Sequence, residues 1–374
     1  MAEKRNVLRY LLWRGDLTFE ADPLNPVDAL IFSILSYANL DFVNRERDPG
    51  RKYTIAMLPE ELKRTEREEG NYGPKQFAAS VKKLIQMAAD SERFRDVTIR
   101  CFQSILNDEV QMQFAAVAFE LPGQAVFLAF RGTDASLVGW KEDLNMSFTD
   151  GIPSQIAARL FAEQVITEKD RHLFLGGHSK GGNLAVWAAT NLEEEKKRRL
   201  EGVYNNDGPG FSEEFLRSPQ YLAIRDKVYS YVPESSIVGI LMEHDEYTTI
   251  RSTNPSIFQH DPFSWCVTGN QFDDAKKRTV IGQQMDHSIN SWIKSLTREE
   301  REQFVDSIWT VVSASNARTL DELNASKIKS VLSMQKAFAT MEPDKQKQLL
   351  ACASKLLFGT NSKQDQEDDS GFDW

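Results

Sequence analysis

The apolar positions of this chain change their spacing twice. From residue 1 to about 98 they recur at helical intervals: residues 27–35 carry a helical apolar run behind Pro26, which suits a first turn. The charged interval 44–51 marks a loop, and residues 74–87 predict a second amphipathic helix ending in the charged segment 91–96. The period then shortens. Residues 97–102, 111–119 and 124–130 are β-rich runs parted by the turn-formers Asn107-Asp108 and Pro122-Gly123, which predicts a meander. Helix and strand alternate after that: helix 152–166, strand 173–176, helix 181–192, strand 202–205, a further helix, and strand 227–232.

Alternation of this kind predicts an α/β fold with a mostly parallel sheet and helices on both faces. From about residue 285 the pattern is helical again, over 298–314, 320–340 and 343–357, and residues 361–374 are polar and acidic. The expected organisation is an N-terminal helical addition (1–98), a core (99–284), a C-terminal helical addition (285–360) and a frayed tail (361–374).

Composition narrows the function. The 374 residues are 41% hydrophobic and 27% charged, the profile of a folded globular chain. A formal net charge of −10 argues against a nucleic-acid partner, whose phosphates require clustered Lys and Arg. Cys101, Cys266 and Cys352 lack zinc-site spacing and read as reduced thiols, which together with the absence of a signal sequence predicts a cytoplasmic protein. No stretch reaches the ~18 apolar residues of a membrane span, and no ligand-spaced cluster implies a metal or cofactor.

The strongest chemical signal is Gly177-His178-Ser179-Lys180-Gly181, preceded by the apolar run 173–175 and followed by an Ala-rich helix. Strand, G-x-S-x-G and helix together are the context of a nucleophile elbow, and they specify an α/β-hydrolase-like core. The glycines admit a turn too tight for side chains, Ser179 projects above the sheet, and the helix dipole favours negative charge there. Lys180 offers its backbone N–H as an oxyanion donor; its side chain reads equally as a solvated surface group. The bland alternative is a Gly-rich turn between strand and helix.

Upstream, residues 126–130 form a strand that stops at Arg131-Gly132-Thr133-Asp134. This turn, with an elbow some tens of residues later, resembles the class 3 lipases. Segments 10–17 (YLLWRGDL), 130–134, 139–143, 178–183, 206–211 (NDGPGF) and 259–265 (QHDPFSW) resemble more closely a group of bacterial lipase-like α/β-hydrolases, over nearly the whole chain. The resemblance implies that the Thr133 N–H, and its hydroxyl as a further candidate, face the oxyanion opposite the Lys180 N–H. A turn cap is the plainer reading of Thr133. Arg131 and Asp143 are expected to form a buried structural ion pair.

Five histidines are candidates for the base. His172 and His178 lie before and inside the elbow and are not free to approach Ser179 from the far side. His260 follows later in an apolar, aromatic loop, in keeping with the Ser, acid, His chain order of the fold, and the lipase resemblance places the base there too. His244 has acidic neighbours and reads as a solvated loop residue, and His287 as a helix cap. For the acid two positions stay open. The class 3 lipases carry Asp near residues 233–239, where this chain has Glu234 and, at the expected place, Ser236. Asp207, at the end of the strand directly after the elbow helix, is favoured over Glu234, with a turn residue before Gly208 as its plain alternative.

The resulting expectation is a serine hydrolase acting on an ester, of a lipid or acyl type, with Ser179, His260 and Asp207 in the catalytic roles and Thr133 and Lys180 in the oxyanion hole. Residues 237–265 are expected either to roof the site or to be core beneath a long loop. A non-catalytic scaffold binding a lipid or a protein is the rival reading, and peptidase or thioesterase chemistry would use the same machinery.

Overall fold

Eight strands stand side by side in the order in which the chain makes them. They are β1 Tyr53–Thr54, β2 Thr98–Asn107, β3 Met112–Leu121, β4 Ala125–Phe130, β5 His172–His178, β6 Leu200–Asn206, β7 Val228–Pro233 and β8 Thr248–Ile250. The computed structural model describes residues 5–45, 51–65, 75–134, 136–146, 151–236, 238–279, 295–315, 317, 327–347 and 349–350. From β1 to β4 neighbours pair antiparallel, which is the expected meander with a short strand added at its edge. From β4 to β8 every pair is parallel. Strands β1 and β8, and the separate hairpin Val267–Thr268 with Gln271–Phe272, were not expected, because two or three residues are too few to express a period of two.

The pleat divides the core into two layers. On β4, Phe127 and Ala129 point to one face while Val126, Leu128 and Phe130 point to the other; Val117 and Phe119 oppose Ala116 and Ala118 on β3 in the same way. The first face is covered by helices α1 Val7–Arg14, α2 Pro26–Leu35 and, after the short helices α3 Phe42–Arg45 and α4 Leu58–Thr65, by α5 Lys75–Asp90. The second face receives α7 Pro153–Val165 and α8 Lys180–Thr190, while α6 Leu137–Asn145 leads out of the turn after β4. This is the α/β-hydrolase architecture anticipated from the alternation of strand and helix.

Helix α2 is buried on every side from Val27 to Leu35, as its unbroken apolar run requires. Its N-terminus is specified locally: the Asn25 side chain accepts from the Val27 and Asp28 amides, Asp28 Oδ2 accepts from the Asn25 amide, and Pro26 fills the first turn. Asp28 is wholly buried and is held by Arg93 at 2.5 Å and by the Tyr10 hydroxyl at 2.7 Å. The same Arg93 guanidinium donates to the Leu17 and Asp22 carbonyls, tying the segment between α1 and α2 to the turn before β2.

Near the C-terminus, helix Arg298–Ser313 meets α6, where Lys141 Nζ lies 3.4 Å from Asp306 and over the Trp309 ring. Among the described residues no helix is long and apolar enough to cross a membrane.

Candidate active site

Strand β5, inside the sheet, delivers Ser179 just past its C-terminal end in a backbone conformation that L-residues avoid, φ 59° and ψ −137°. Such a residue costs about 1–3 kcal/mol and survives only where its surroundings over-determine it. Here the Ser179 amide donates to the Asn206 carbonyl at 3.0 Å, and the Gly182 amide returns to the Ser179 carbonyl at 2.9 Å. A Cβ on Gly177 would lie 2.1 Å from the Gly181 carbonyl carbon, and one on Gly181 would lie 2.0 Å from the Phe130 oxygen, so both positions exclude side chains. The elbow is thus pressed between β4 and β6.

Strand β6 ends in a second left-handed residue, Asp207, at φ 54°. Its amide donates to the Tyr231 carbonyl, which turns the wholly buried carboxyl toward the loop after β8. That loop closes with the 3-10 turn Ser256–His260. His260 Nδ1 lies 2.7 Å from Asp207 Oδ2, and Nε2 lies 2.9 Å from Ser179 Oγ. A carboxylate only accepts, so Nδ1 carries the proton and Nε2 presents its lone pair to the serine hydroxyl.

Ser236 Oγ also donates to Asp207 Oδ2, at 2.7 Å. Burial pushes the Asp207 carboxyl up from its ordinary range, and the bonds from His260 and Ser236 pull against that shift. Glu234, the other acid considered, has its backbone engaged by Ile250 and Thr279 at the end of β7, while His260 is bonded to Asp207.

The remaining histidines fall into place around this pair. His178 is buried and packs against the His260 ring with centroids 4.7 Å apart and planes tilted by 31°, and its Nε2 lies 2.9 Å from the His260 carbonyl. It therefore stands behind His260, whose Nε2 is the one that faces Ser179. His172 is exposed and pairs with Glu201. His244 differs from its expected solvated state: it is partly buried, and burial lowers its imidazole to about 4, against the opposing pull of its hydrogen bond to the Gly239 backbone. His287 and Cys352 lie outside the described residues.

Beside the elbow, the turn after β4 comes within contact of Ser179, since a Cβ on Gly132 would sit 3.0 Å from Ser179 Cβ. Thr133 follows it. The Thr133 hydroxyl donates to Asp143 Oδ2 at 2.5 Å, which commits its proton to that carboxylate and leaves the amide as the donor to consider. The expected Arg131–Asp143 pair is replaced by two others: Arg131 meets Asp134 at 3.6 Å, three residues along the same turn, and Asp143 lies 3.7 Å from Lys180. Burial pushes the Asp143 carboxyl up to about 6.

Lys180 is the largest departure from the sequence reading. Its side chain is fully buried and not solvated, with Nζ donating to the Gln113 carbonyl at 2.9 Å and to Glu142 Oε2 at 3.0 Å. Glu142 is itself held by Ser154 and by the Gln113 amide. A tight elbow forces the first helical side chain inward, and only this polar nest makes an ammonium tolerable there. Gln113 and Tyr37, which touches His178, had no motif to announce them, whereas Glu142 lies in the segment 139–143 that carries the family resemblance and Ser236 stands where an acid was expected.

Residues 237–265 divide between the two expectations. Phe263 and Trp265 are core under the loop, whereas Phe258, two residues before His260, is 65% exposed.

The Mbeg1-like family model matches residues 88–310, more than half of the chain. Solved structures with a similar course of the chain include the Rhizomucor miehei lipase propeptide complex, at 15% identity and a TM-score of 0.38 over 65% of this chain and 81% of that one. The lipase of Rhizopus microsporus var. chinensis is 14% identical with a TM-score of 0.35, over 69% of this chain and 96% of its own. No curated protein matches the chain in sequence.

Proposed function

The chain belongs to the Mbeg1-like family, and from its site geometry we propose that it is a serine hydrolase that cleaves an acyl ester through an acyl-enzyme on Ser179. The observation that carries this reading is the unbroken line from Asp207 Oδ2 through His260 to Ser179 Oγ, with both links under 3 Å.

His260 accepts the Ser179 proton as Oγ attacks the ester carbonyl carbon. The negative charge that develops on the carbonyl oxygen meets the Thr133 and Lys180 amides at the positive end of α8, where losing one donor typically costs about 2.7–4 kcal/mol of barrier reduction. Asp207 holds the imidazole in the required tautomer and offsets the imidazolium charge. The collapsing intermediate expels the alcohol, which takes the proton from His260. Water then enters, gives a proton to His260 and its oxygen to the acyl carbon, and Ser179 regains its proton as the acid leaves.

The exposed Phe258, two residues before His260 in sequence, is what favours a lipid or other acyl ester as the class of substrate. A binding-only scaffold has no need of two left-handed residues or of a buried carboxyl aimed at a histidine, so the same geometry weighs against that rival.

The deciding experiment is labelling with a fluorophosphonate. The intact protein should react and hydrolyse short p-nitrophenyl esters, and Ser179→Ala should do neither. Labelling that survives this substitution would remove the reading.

A further inference from the structure

We propose that Tyr37 and His178 form a hydrogen-bonded brace that positions His260 against Ser179 and joins it to the turn that carries Thr133. The proposal rests on the catalytic reading of His260 above, and it gives a role to two residues which that mechanism does not use.

The direction of each bond follows from chemistry. The His260 carbonyl can only accept, so the 2.9 Å contact from His178 fixes the proton on Nε2 of that ring. The Nδ1 atom of a neutral imidazole is then an acceptor, and the Tyr37 hydroxyl at 3.2 Å is its donor. The Tyr37 oxygen in turn accepts the Gly132 amide. One continuous chain therefore runs from the Gly132 N–H through Tyr37 O–H and His178 to the His260 C=O. It links the oxyanion turn, the nucleophile elbow and the histidine loop, three segments that are distant in sequence.

Its surroundings keep the chain in this state. His178 and Tyr37 are both buried, and burial holds the imidazole well below its ordinary range, so it remains neutral. A neutral ring packed 4.7 Å from that of His260 adds no charge to oppose the imidazolium that forms when the base takes its proton. Gly132 has room for no other residue: a Cβ there would meet the Tyr37 hydroxyl at 2.3 Å and the His178 carbonyl at 2.5 Å.

His260 needs such a support. It ends a five-residue 3-10 turn, where the last carbonyls have no partner within the helix, and its side chain keeps 28% exposure. Trp265 Nε1 donates to the preceding carbonyl, that of Gln259, at 2.8 Å and packs 5.9 Å from the His178 ring, so the loop is held at two successive carbonyls. Tyr37 also lies outside residues 88–310, at the end of α2; the N-terminal helices thereby reach the site itself.

As a positioning pair, Tyr37 and His178 should act on kcat and not on KM. In the purified full-length protein, Tyr37→Phe and His178→Leu should lower kcat on p-nitrophenyl butyrate by about 10- to 100-fold, the scale of a displaced catalytic group, with KM within about twofold. His178→Gln, whose amide can still donate to the His260 carbonyl, should recover most of that loss. The second readout needs no turnover: in protein labelled with ¹⁵N-histidine, the downfield His260 Nδ1–H resonance should broaden or shift in Tyr37→Phe and His178→Leu and return in His178→Gln. An unchanged resonance and unchanged kcat per fluorophosphonate-reactive serine would overturn the brace, even if both variants melted earlier. Should the intact protein neither label nor hydrolyse esters, the ester reading falls, and the resonance alone still decides whether the brace holds the histidine.

Discussion

Ser236 gives its hydroxyl proton to Asp207 Oδ2 at 2.7 Å, on the same oxygen that receives His260 Nδ1–H. Ser236, standing where the lipase resemblance leads one to expect an acid, is a hydrogen-bond donor to the carboxylate at the end of the neighbouring strand.

That relationship separates the two candidate acids. Asp207→Asn should fold normally and lower kcat by orders of magnitude, about 10⁴-fold where the equivalent change has been made in a serine protease, because the amide favours the wrong tautomer. Glu234→Gln should leave kcat within about twofold. Ser236→Ala removes one neutral-to-charged hydrogen bond worth roughly 1.5–3 kcal/mol, so a loss of about tenfold or more is expected. Steady-state kinetics of the three variants, with circular dichroism as the folding control, checks the order; a large effect of Glu234→Gln with little from Asp207→Asn would reverse the assignment.

Most of the fold could be read from the chain because its elements are long and periodic. The antiparallel run β2 to β4 and the parallel succession β4 to β7 each show either a period of two or an apolar block bounded by turn residues. Ser179, Asp207 and His260 were legible because each sits in a motif or at the end of such a strand. The partners of Lys180 were not: Gln113, Glu142 and Ser154 come from three separate elements, and a lysine after a nucleophile reads from sequence alone as a surface residue. Tyr37 was hidden for a similar reason, since its hydroxyl meets His178 across 141 positions of the chain. Pairings set by tertiary approach leave no local pattern.

The buried Lys180–Glu142 pair predicts a stability effect separable from catalysis. Lys180→Met leaves a carboxylate buried without its cation and should cost about 3–5 kcal/mol in urea unfolding. Lys180→Met with Glu142→Gln removes both charges while keeping an acceptor for Ser154, and it should regain most of that loss. An equally unstable double variant would mean that hydrogen bonding, and not charge, governs this nest.

The N-terminal helices should be inseparable from the sheet, as the division into core and additions proposes. Helices α1, α2 and α5 bury one whole face of β2 to β4, including Phe119 and Phe127. A chain beginning at residue 99 would expose that face, so it should be insoluble or bind a hydrophobic dye strongly. A soluble, cooperatively melting fragment would show that the helices are dispensable.

The partly buried His244 predicts how stability responds to acid. Its imidazole donates to the Gly239 backbone through one ring nitrogen and has no partner for Nε2, so protonation places an unpaired N–H and a charge beside the Gly239 backbone. Its value falls from 6.5 in the unfolded chain to about 4 in the fold. Between these values the unfolded chain binds the proton and the folded chain does not. The contribution is therefore complete above about pH 6.5 and is lost as pH falls through about 4. The shift corresponds to at most about 3 kcal/mol, and the partial exposure of the ring screens some of that, leaving roughly 1–2 kcal/mol. His244→Asn lacks this titration. Compared with the intact protein, its unfolding free energy in urea should fall less between pH 7 and pH 4, by roughly that amount. The Asp143 carboxyl, raised to about 6, acts in the opposite sense, since its contribution is present below 3.8 and lost as pH rises through 6. It is common to both proteins and cancels in the comparison, which leaves the difference between the two pH profiles as the signature of His244. Parallel profiles would show that the imidazole is already protonated or solvated in the fold.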